Sequence, residues 1–584
     1  MLSKLEQLQE AKIVSIDTET YSDFNATKYI AEETAKLTKV TKTKLNTIER
    51  KAKALQKAGA LNTLSNKVRL LQLAFDGEVW IIDLKKNLIH SKILETLSTK
   101  ILVGHNLKFD IKTLYKYQPA IMNAKFVDTM LLHKLYCHAN YTERMPADFG
   151  SVLEYHLDIK LPKDQGGSDW GAETLTQEQL EYAKNDVIYT QKLAETILAK
   201  VEKPIARLEF ETLPIVAQIE LNGIAVNSDI LLEQAKQSEE EFLELEHEFI
   251  SMNFNPRSPK QVLEHLHKHG YMLEKTGAQL LKSEAMDCPL VPEILRSKKL
   301  SKEIKAIRGY HEDVDVTDNR LHASLNQLGA HTGRFSSSKP NIQQIPRNIK
   351  HKFYRIEDDE ALVKVDYSAC QLRIASILMK DKVMQEAFLE GKDIHKHTAS
   401  LIWNIPFEEV TKEQRQTSKG INFGLIFGAG AKTLQTYVLG YGVEITLEEA
   451  NFFRDKFFQA YKGIQKFHRD NGDRLQRENS FKTYTLSGRV AKVDGYTNSQ
   501  NEGTQGSEAD IMKLSLVEFT KIASRPYKMI NIIHDEFVFT CKKVDQEQLT
   551  KELQETMNYV IDTVLGVHFP NQTEAEVFYK EDLI

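Results

Sequence analysis

Asp17 and Glu19 stand two residues apart at the end of the apolar stretch "KIVSIDTET", so a strand there turns both carboxylates to one face. Asp110 follows another apolar stretch in "HNLKFD". Asp186 sits in "YAKNDV" with Tyr182 four residues earlier, one helical turn away on the same face. Four carboxylates brought together repel one another unless cations lie between them. Two Mg²⁺ ions roughly 4 Å apart would be stabilised there and would activate water for phosphodiester cleavage. Asp128, in "FVDTM", falls between the second and third of these segments and is given a supporting part.

A second set lies further on. "ALVKVDYSACQLRIAS" reads as a strand running into a helix, with Asp366 at the strand end. "INIIHDEFVF" reads as a hairpin. Adjacent carboxylates inside a buried strand are costly unless a positive group meets them, so the turn is placed at His534-Asp535-Glu536, facing a site shared with Asp366. Between the two, "RQTSKGINFGLIFG" reads as a helix with Arg415, Lys419, Phe423 and Phe427 at spacing four. Cations and rings along one face suit a nucleoside triphosphate, charge for the phosphates and a ring for the base. Taken alone, the same helix also reads as an ordinary core helix with buried phenylalanines.

These groups need elements to hold them. With 584 residues the chain exceeds one ordinary core, and two to four domains are expected. The first third mixes strand-like "VRLLQLAF", "EVWIIDL" and "ILVGHNLKFD" with helical segments, an α/β pattern. Long helical runs begin near residue 202, and strand texture returns at "ALVKVDYSA" and "MINIIHDEFVFTC". Residues 21–60 are helical in composition and carry nine Lys/Arg against four Asp/Glu. They read as a solvated helical hairpin decorating the first domain, with a basic arm that touches nucleic acid as the sharper alternative. The four scattered cysteines make neither a zinc pattern nor a disulfide framework, and no apolar run is long enough for a membrane span or a signal peptide. A net charge of −5 argues against wholesale non-specific nucleic-acid binding but leaves room for local basic patches.

"DTET", "NLKFD" and "YAKND" resemble the three motifs of the DEDD 3′–5′ exonucleases, in the form with a motif-three tyrosine. The resemblance implies an RNase H-like fold in which Asp17, Glu19, Asp110 and Asp186 hold metal and Tyr182 orients the attacking water. The later segments resemble motifs A, B and C of family A DNA polymerases, the bacterial polymerase I type. "RLEFETLPIVAQIELNGIAVN", "FNPRSPKQV", "HTGRFSSSKPNIQQIPR", "DIHKHTAS", "TLSGR" and "NEGTQGSEADIMK" follow that family's order. The fold class implied is multidomain α/β and α+β. An exonuclease domain over 1–201 precedes a right-hand polymerase domain over 202–584, with thumb 202–320, palm 321–375 and 496–584, and fingers 376–495.

By this resemblance Asp366 and Asp535 hold two Mg²⁺ ions, with Mn²⁺ as a substitute, and Glu536 sits beside the site. Lys419 and Arg415 bind the triphosphate, Lys419 also protonating the departing group, and His395 adds a phosphate contact. Phe423 packs against sugar and base, and Phe427 helps form the templating pocket. Arg334, Arg489, Asn501, Gln505 and His534 match positions that contact primer or template. The basic runs "RSKKLSKEIKAIR" (296–308), in the thumb region, and "PRNIKHKFYR" (346–355) suit a duplex backbone. The expected ligands are primer-template DNA and dNTPs; helicase-primase and single-strand binding protein are expected partners of a monomer in a bacterial or phage-infected cytoplasm, or in an organelle.

Several departures from the family pattern matter. Motif A commonly reads DYSQIELR, and here "DYSACQLR" puts Gln371 where a glutamate excludes a ribose 2′-hydroxyl. Gln keeps the volume without the charge, so deoxynucleotide selection is expected to survive in weakened form. Phe427 stands where tyrosine is usual, and Phe423 rather than tyrosine predicts discrimination against dideoxynucleotides. The basic segment replaces a short turn between the first two strands. The exonuclease motifs also stand at the very start of the chain, with no room before them for a 5′-nuclease domain. A single-subunit RNA polymerase is the rival enzyme reading, opposed by the exonuclease motifs and the bulky Gln371. A non-enzymatic nucleic-acid binder with decayed sites is opposed by the intact carboxylates.

Overall fold

A computed structural model describes residues 2–24, 26–36, 42–86, 91–161, 168–346 and 348–583. The chain divides into two units, Met1–Leu221 and Asn222–Ile584. This division falls at the end of the helix Lys203–Asn222, beyond the boundary expected at residue 201. That helix is bound into the first unit by Glu220, which accepts hydrogen bonds of 2.6 Å from both Lys108 and Lys112.

In the first unit β1 (Ile13–Tyr21) pairs antiparallel with β2 (Lys67–Phe75) and parallel with β4 (Ile101–Gly104). With β3 (Glu78–Asp83) and β5 (Lys125–Asp128) the order is β3-β2-β1-β4-β5. Val14, Ser15, Ile16 and Thr18 are all buried, so β1 is covered on both faces and needs its near-continuous apolar run. Asp17 lies opposite Gln72 and Glu19 opposite Leu70, and the register shifts between Glu19 and Thr20. Such a shift re-aims side chains at a strand end.

The segment 21–60 forms two helices, Ala26–Ala35 and Lys42–Leu61, that pack on each other; residues 25 and 37–41 lie outside the described residues. The second helix is fastened to the sheet: Thr20 Oγ1 and Asn66 Nδ2 donate to the Ala60 carbonyl at 2.7 and 3.0 Å, and Ala52 is fully buried. Lys51, Lys53 and Lys57 on its outer side are exposed.

The second unit is built on an antiparallel sheet of β6 (Glu360–Tyr367), β7 (Tyr527–Ile533), β8 (Glu536–Lys542) and β9 (Thr573–Phe578), in the order β7-β8-β6-β9. The Tyr367 hydroxyl lies 2.7 Å from Ser515 Oγ and donates to the Met557 carbonyl at 2.9 Å, which ties β6 to the helices Tyr496–Ile522 and Gln546–Leu565 behind it. The turn between β7 and β8 is His534-Asp535 alone. Glu536, expected within it, is the first ladder residue of β8 and pairs with Asp366 on one side and Ile533 on the other. Its carboxylate stays in the sheet because Lys350 Nζ meets it at 3.2 Å.

The helices Ser228–Ser251 and Val291–Glu312 pair along their length. The basic run 296–308 lies on the second, and half of it is engaged within the protein. Arg308 bonds Glu239 at 2.5 and 2.7 Å, Arg296 pairs with Glu241, and Lys298 donates to the Thr276 carbonyl at 2.7 Å. Lys299, Lys302 and Lys305 remain exposed. In the run 346–355, Ile349, Phe353 and Tyr354 are buried, so that segment is mainly a packing strap; its Arg347 lies outside the described residues.

Candidate active sites

In the first unit the carboxylate oxygens of Asp17, Glu19 and Asp186 come within 4.8 Å of one another. Asp186 is delivered by the helix Gln177–Ile188, which starts at a capping box of Thr176 and Gln179. Gln72 Nε2 donates to Asp17 Oδ2 at 3.1 Å. Burial pushes the Asp17 carboxyl up to about 6. Asp110, the fourth expected ligand, lies beside this trio and accepts a 2.6 Å hydrogen bond from Thr18 Oγ1; burial, then the Asp17 charge, hold it well above the usual carboxylate range. Tyr182 shares the helix with Asp186, and its ring lies 6.3 Å from Trp170.

Asp128 is not in this cluster. It caps the helix Thr129–Asn140 by accepting from Met130 N and Leu131 N at 2.8 and 3.1 Å, and it also accepts from Leu107 N at 2.7 Å. It therefore holds the backbone that leads into Asp110. The signal was legible as Asp directly before an apolar helical run.

In the second unit a cleft of about 530 Å³ is lined by Asp366, Asp535, Arg415, Lys419, Phe423 and His395, together with Asp393 and Glu574. The sequence motifs thus meet in one place. β6 ends at Tyr367 and turns sharply at Ala369, φ +53°, before the helix Cys370–Leu378. Arg373 braces that turn, donating to the Ser368 and Asn571 carbonyls at 2.9 and 2.8 Å with its guanidinium over Phe388. Burial, then Glu574 and Glu536, raise the Asp366 carboxyl to about 6. Burial and Glu508 raise Asp535 to about 7. Both are carboxyls in want of positive charge.

The opposing helix, Lys412–Ile426, starts at a capping box of Thr411 and Gln414. Arg415, Lys419 and Phe423 share its cleft face. The opposite face packs tightly: a Cβ on Gly420 would sit 2.6 Å from Val438 Cα. Glycine there lets the neighbouring helix Ala431–Leu439 approach. Phe427 leaves the stripe, because the helix ends at Ile426 and Phe427 is its C-terminal cap, nearly buried. Arg415 is held by Asp393, at 2.6 and 2.7 Å, and Asp393 also caps the helix Ile394–Trp403. His395 is neutral: burial lowers it to about 4, and its Nδ1 meets Asn422 Nδ2 at 2.9 Å. It offers a phosphate an N–H donor rather than a charge.

Of the residues expected to touch DNA, Asn501 and Gln505 lie one turn apart on the helix Tyr496–Ile522, and His534 is exposed in the hairpin turn with φ +55°. Arg334 is bonded to Glu508, with Nε at 2.9 Å. Arg489 is engaged within the protein. It is 2% exposed and its guanidinium meets Asp510 at 2.6 and 2.8 Å, so it holds the Phe481–Tyr484 and Val490–Val493 hairpin to the helix instead of facing solvent. Gln371 does not line the cleft described above; its Nε2 donates to Glu508 Oε1 at 3.1 Å. Glu508, Asp393 and Glu574 were not singled out from sequence, since only folding brings them to these partners.

The chain matches the family model described as DNA polymerase family A over residues 228–577, and that described as 3′–5′ exonuclease over 58–202. Asp17 and Glu19 precede the second match, on the far side of the helical insertion. DNA polymerase I of Aquifex aeolicus is 33% identical over 532 residues, covering 85% of this chain and 90% of that protein. DNA polymerase I of Helicobacter pylori is 27% identical over 564 residues, covering 88% of this chain but 60% of that protein. Among solved structures, the polymerase domain of Pol1 from M. smegmatis, in complex with DNA primer-template and dNTP, has the same fold. The TM-score is 0.75 at 21% identity, covering 89% of this chain and 94% of that one.

Proposed function

This chain belongs to DNA polymerase family A, as a DNA polymerase with a 3′–5′ exonuclease domain, and from that premise we propose which residues extend a primer 3′ end and which trim it. The observation that carries the reading is the meeting of Asp366 and Asp535 across a cleft from Arg415 and Lys419.

Both carboxylate sets fit hard divalent cations. They are oxygen donors whose proton affinity burial raises, the Asp17 charge adding to it at Asp110 and the Glu508 and Asp366 charges at Asp535. Domains of both families use divalent metals. Asp366 and Asp535 would hold two Mg²⁺ ions for synthesis, and Asp17, Glu19, Asp110 and Asp186 two for hydrolysis, with Mn²⁺ as a substitute. The chemistry such ions would supply there is a more acidic attacking hydroxyl or water and a neutralised departing oxygen.

The chain's own groups do the rest. Arg415 exchanges Asp393 for triphosphate oxygens, Lys419 binds the same phosphates and passes a proton to the leaving pyrophosphate, and His395 donates its N–H. Phe423 packs on sugar and base, Phe427 backs the templating base, and Gln371 occupies the space a 2′-hydroxyl would need. Asn501, Gln505, Arg334 and His534 face the primer terminus, while Arg489 stiffens their support. In the exonuclease site Tyr182 orients the water. The DNA is primer-template, as in the solved relative's complex, and Lys299, Lys302 and Lys305 follow its backbone. Among the described residues no helix is long and apolar enough to cross a membrane. We place the protein in the cytoplasm as a monomer, working beside helicase-primase and single-strand binding protein.

One gel tests the assignment: a labelled primer on a longer template with Mg²⁺, with and without dNTPs. Asp366→Ala should lose extension and keep shortening, and Asp17→Ala the reverse. Neither activity from folded wild-type protein would overturn the reading.

A further inference from the structure

Glu508 lies at the middle of the long helix Tyr496–Ile522 and is 1% exposed. Its Oε2 accepts from Arg334, and its Oε1 accepts from Gln371 Nε2 at 3.1 Å. The same helix holds the loop that carries Arg334 at two further points: Glu502 lies 3.1 Å from His331, and Lys513 Nζ donates to the Gly333 carbonyl at 2.9 Å. Asn501, Gln505 and Glu508 follow at spacings of four and three, so they share one face.

A glutamine side chain has several rotatable bonds and two chemically different polar ends. A carboxylate only accepts, so it selects the amide NH₂ and fixes which end of Gln371 faces the helix. Hydrogen bonds that involve a charged group are about twice as strong as neutral ones, and the Arg334 guanidinium bonded to Oε2 holds this buried side chain in place. Arg334 in turn supplies the one cation bonded to this carboxylate among the described residues. A second carboxylate at position 371 would press against Glu508 with a single guanidinium between them. The charge that the resembling motif A carries on its own helix is here carried by the helix opposite.

We propose that Glu508 is a positioning residue for sugar selection, holding Gln371 and Arg334 as one unit so that rejection of ribonucleotides depends on the Gln371–Glu508 pair. This rests on the reading of Gln371 given under the proposed function.

The test is the ratio of dNTP to rNTP incorporation efficiency in single-nucleotide extension, with melting temperatures to confirm folding. Glu508→Ala and the isosteric Glu508→Gln should each lower the ratio about tenfold, the effect of about one charged hydrogen bond. Gln371→Glu alone should impair extension, because it sets two carboxylates against one arginine. The exchange Gln371→Glu with Glu508→Gln should restore both extension and the ratio, an outcome a purely structural role for Glu508 does not give. An exchange variant no better than Gln371→Glu, or an unchanged ratio in folded Glu508→Gln, would overturn the proposal. Gln371→Ala separates the two readings: an unchanged ratio there fails the assignment of Gln371 and the pair with it, whereas a lowered ratio there with an unchanged ratio in Glu508→Gln fails the role of Glu508 alone.

Discussion

Asp535 and Asp366 are ionisable groups arranged at the expense of stability. Each has its carboxyl raised in the folded chain, to about 7 and about 6, chiefly by burial. A carboxyl whose folded pKa exceeds its unfolded value binds protons more readily when folded, so its contribution to stability falls as pH rises from about 4 to about 7. Removing the charge should therefore stabilise the metal-free protein. We predict that Asp535→Asn abolishes extension yet raises the melting temperature in EDTA at pH 8 by about 1–3 °C, for a gain of about 1–2 kcal/mol. The gain should shrink as pH falls through 7 and vanish near pH 4. Mg²⁺ should raise the melting temperature of the wild type more than that of the variant. A lower melting temperature for Asp535→Asn at pH 8 would show that the carboxylate is a stabilising partner, contrary to this account.

Elements set the precision of each site from a distance. The helix Thr129–Asn140 and the backbone leading to Asp110 share one side chain, Asp128, as cap and clasp. Its truncation leaves three backbone N–H groups without that acceptor, a loss of about 1–2 kcal/mol for the cap alone. Asp128→Ala should slow primer shortening at least about tenfold, given the sensitivity of such sites to small misplacements. Primer extension should be unchanged, and equal shortening by wild type and variant would refute the role. The helix Val291–Glu312 makes a second case. Substituting Lys299, Lys302 and Lys305 together with alanine should reduce the slope of log affinity against log salt for duplex DNA by about two to three. Substituting Arg296 and Arg308, which are paired to Glu241 and Glu239, should change that slope less. Equal losses would mean that the paired arginines open to DNA.

At the scale of the whole molecule the chain is two units, each with its own sheet, core and carboxylate cluster. Units with their own cores can melt in separate steps. Calorimetry in EDTA should resolve two transitions, with Asp17→Asn moving one and Asp535→Asn the other. A single transition moved by both variants would show that the units unfold as one. The net charge of −5 belongs to the same scale. If affinity for DNA comes from local basic surfaces such as the three exposed lysines, it should be steeply salt-dependent.

The sequence by itself determined the chemistry. Carboxylates at strand ends, a tyrosine one turn from Asp186, and Arg415, Lys419 and Phe423 at spacing four are local patterns, and local geometry alone turns them to common faces. It also carried the sheet-bearing segments, because runs such as "ALVKVDY" and "MINII" have few other ways to bury themselves. Only the tertiary structure decided which charges are answered and by whom. Arg489 and Arg334 are alike in the sequence as basic residues near matched motifs, yet one is buried on Asp510 and the other holds Glu508 beside Gln371. Glu508 gave no sign of its partner Gln371, 137 residues away, and Asp128, legible as a helix cap, gave none of its second partner Leu107, 21 residues away. Long-range pairing of buried polar groups depends on which elements the fold brings together, and no local periodicity encodes it.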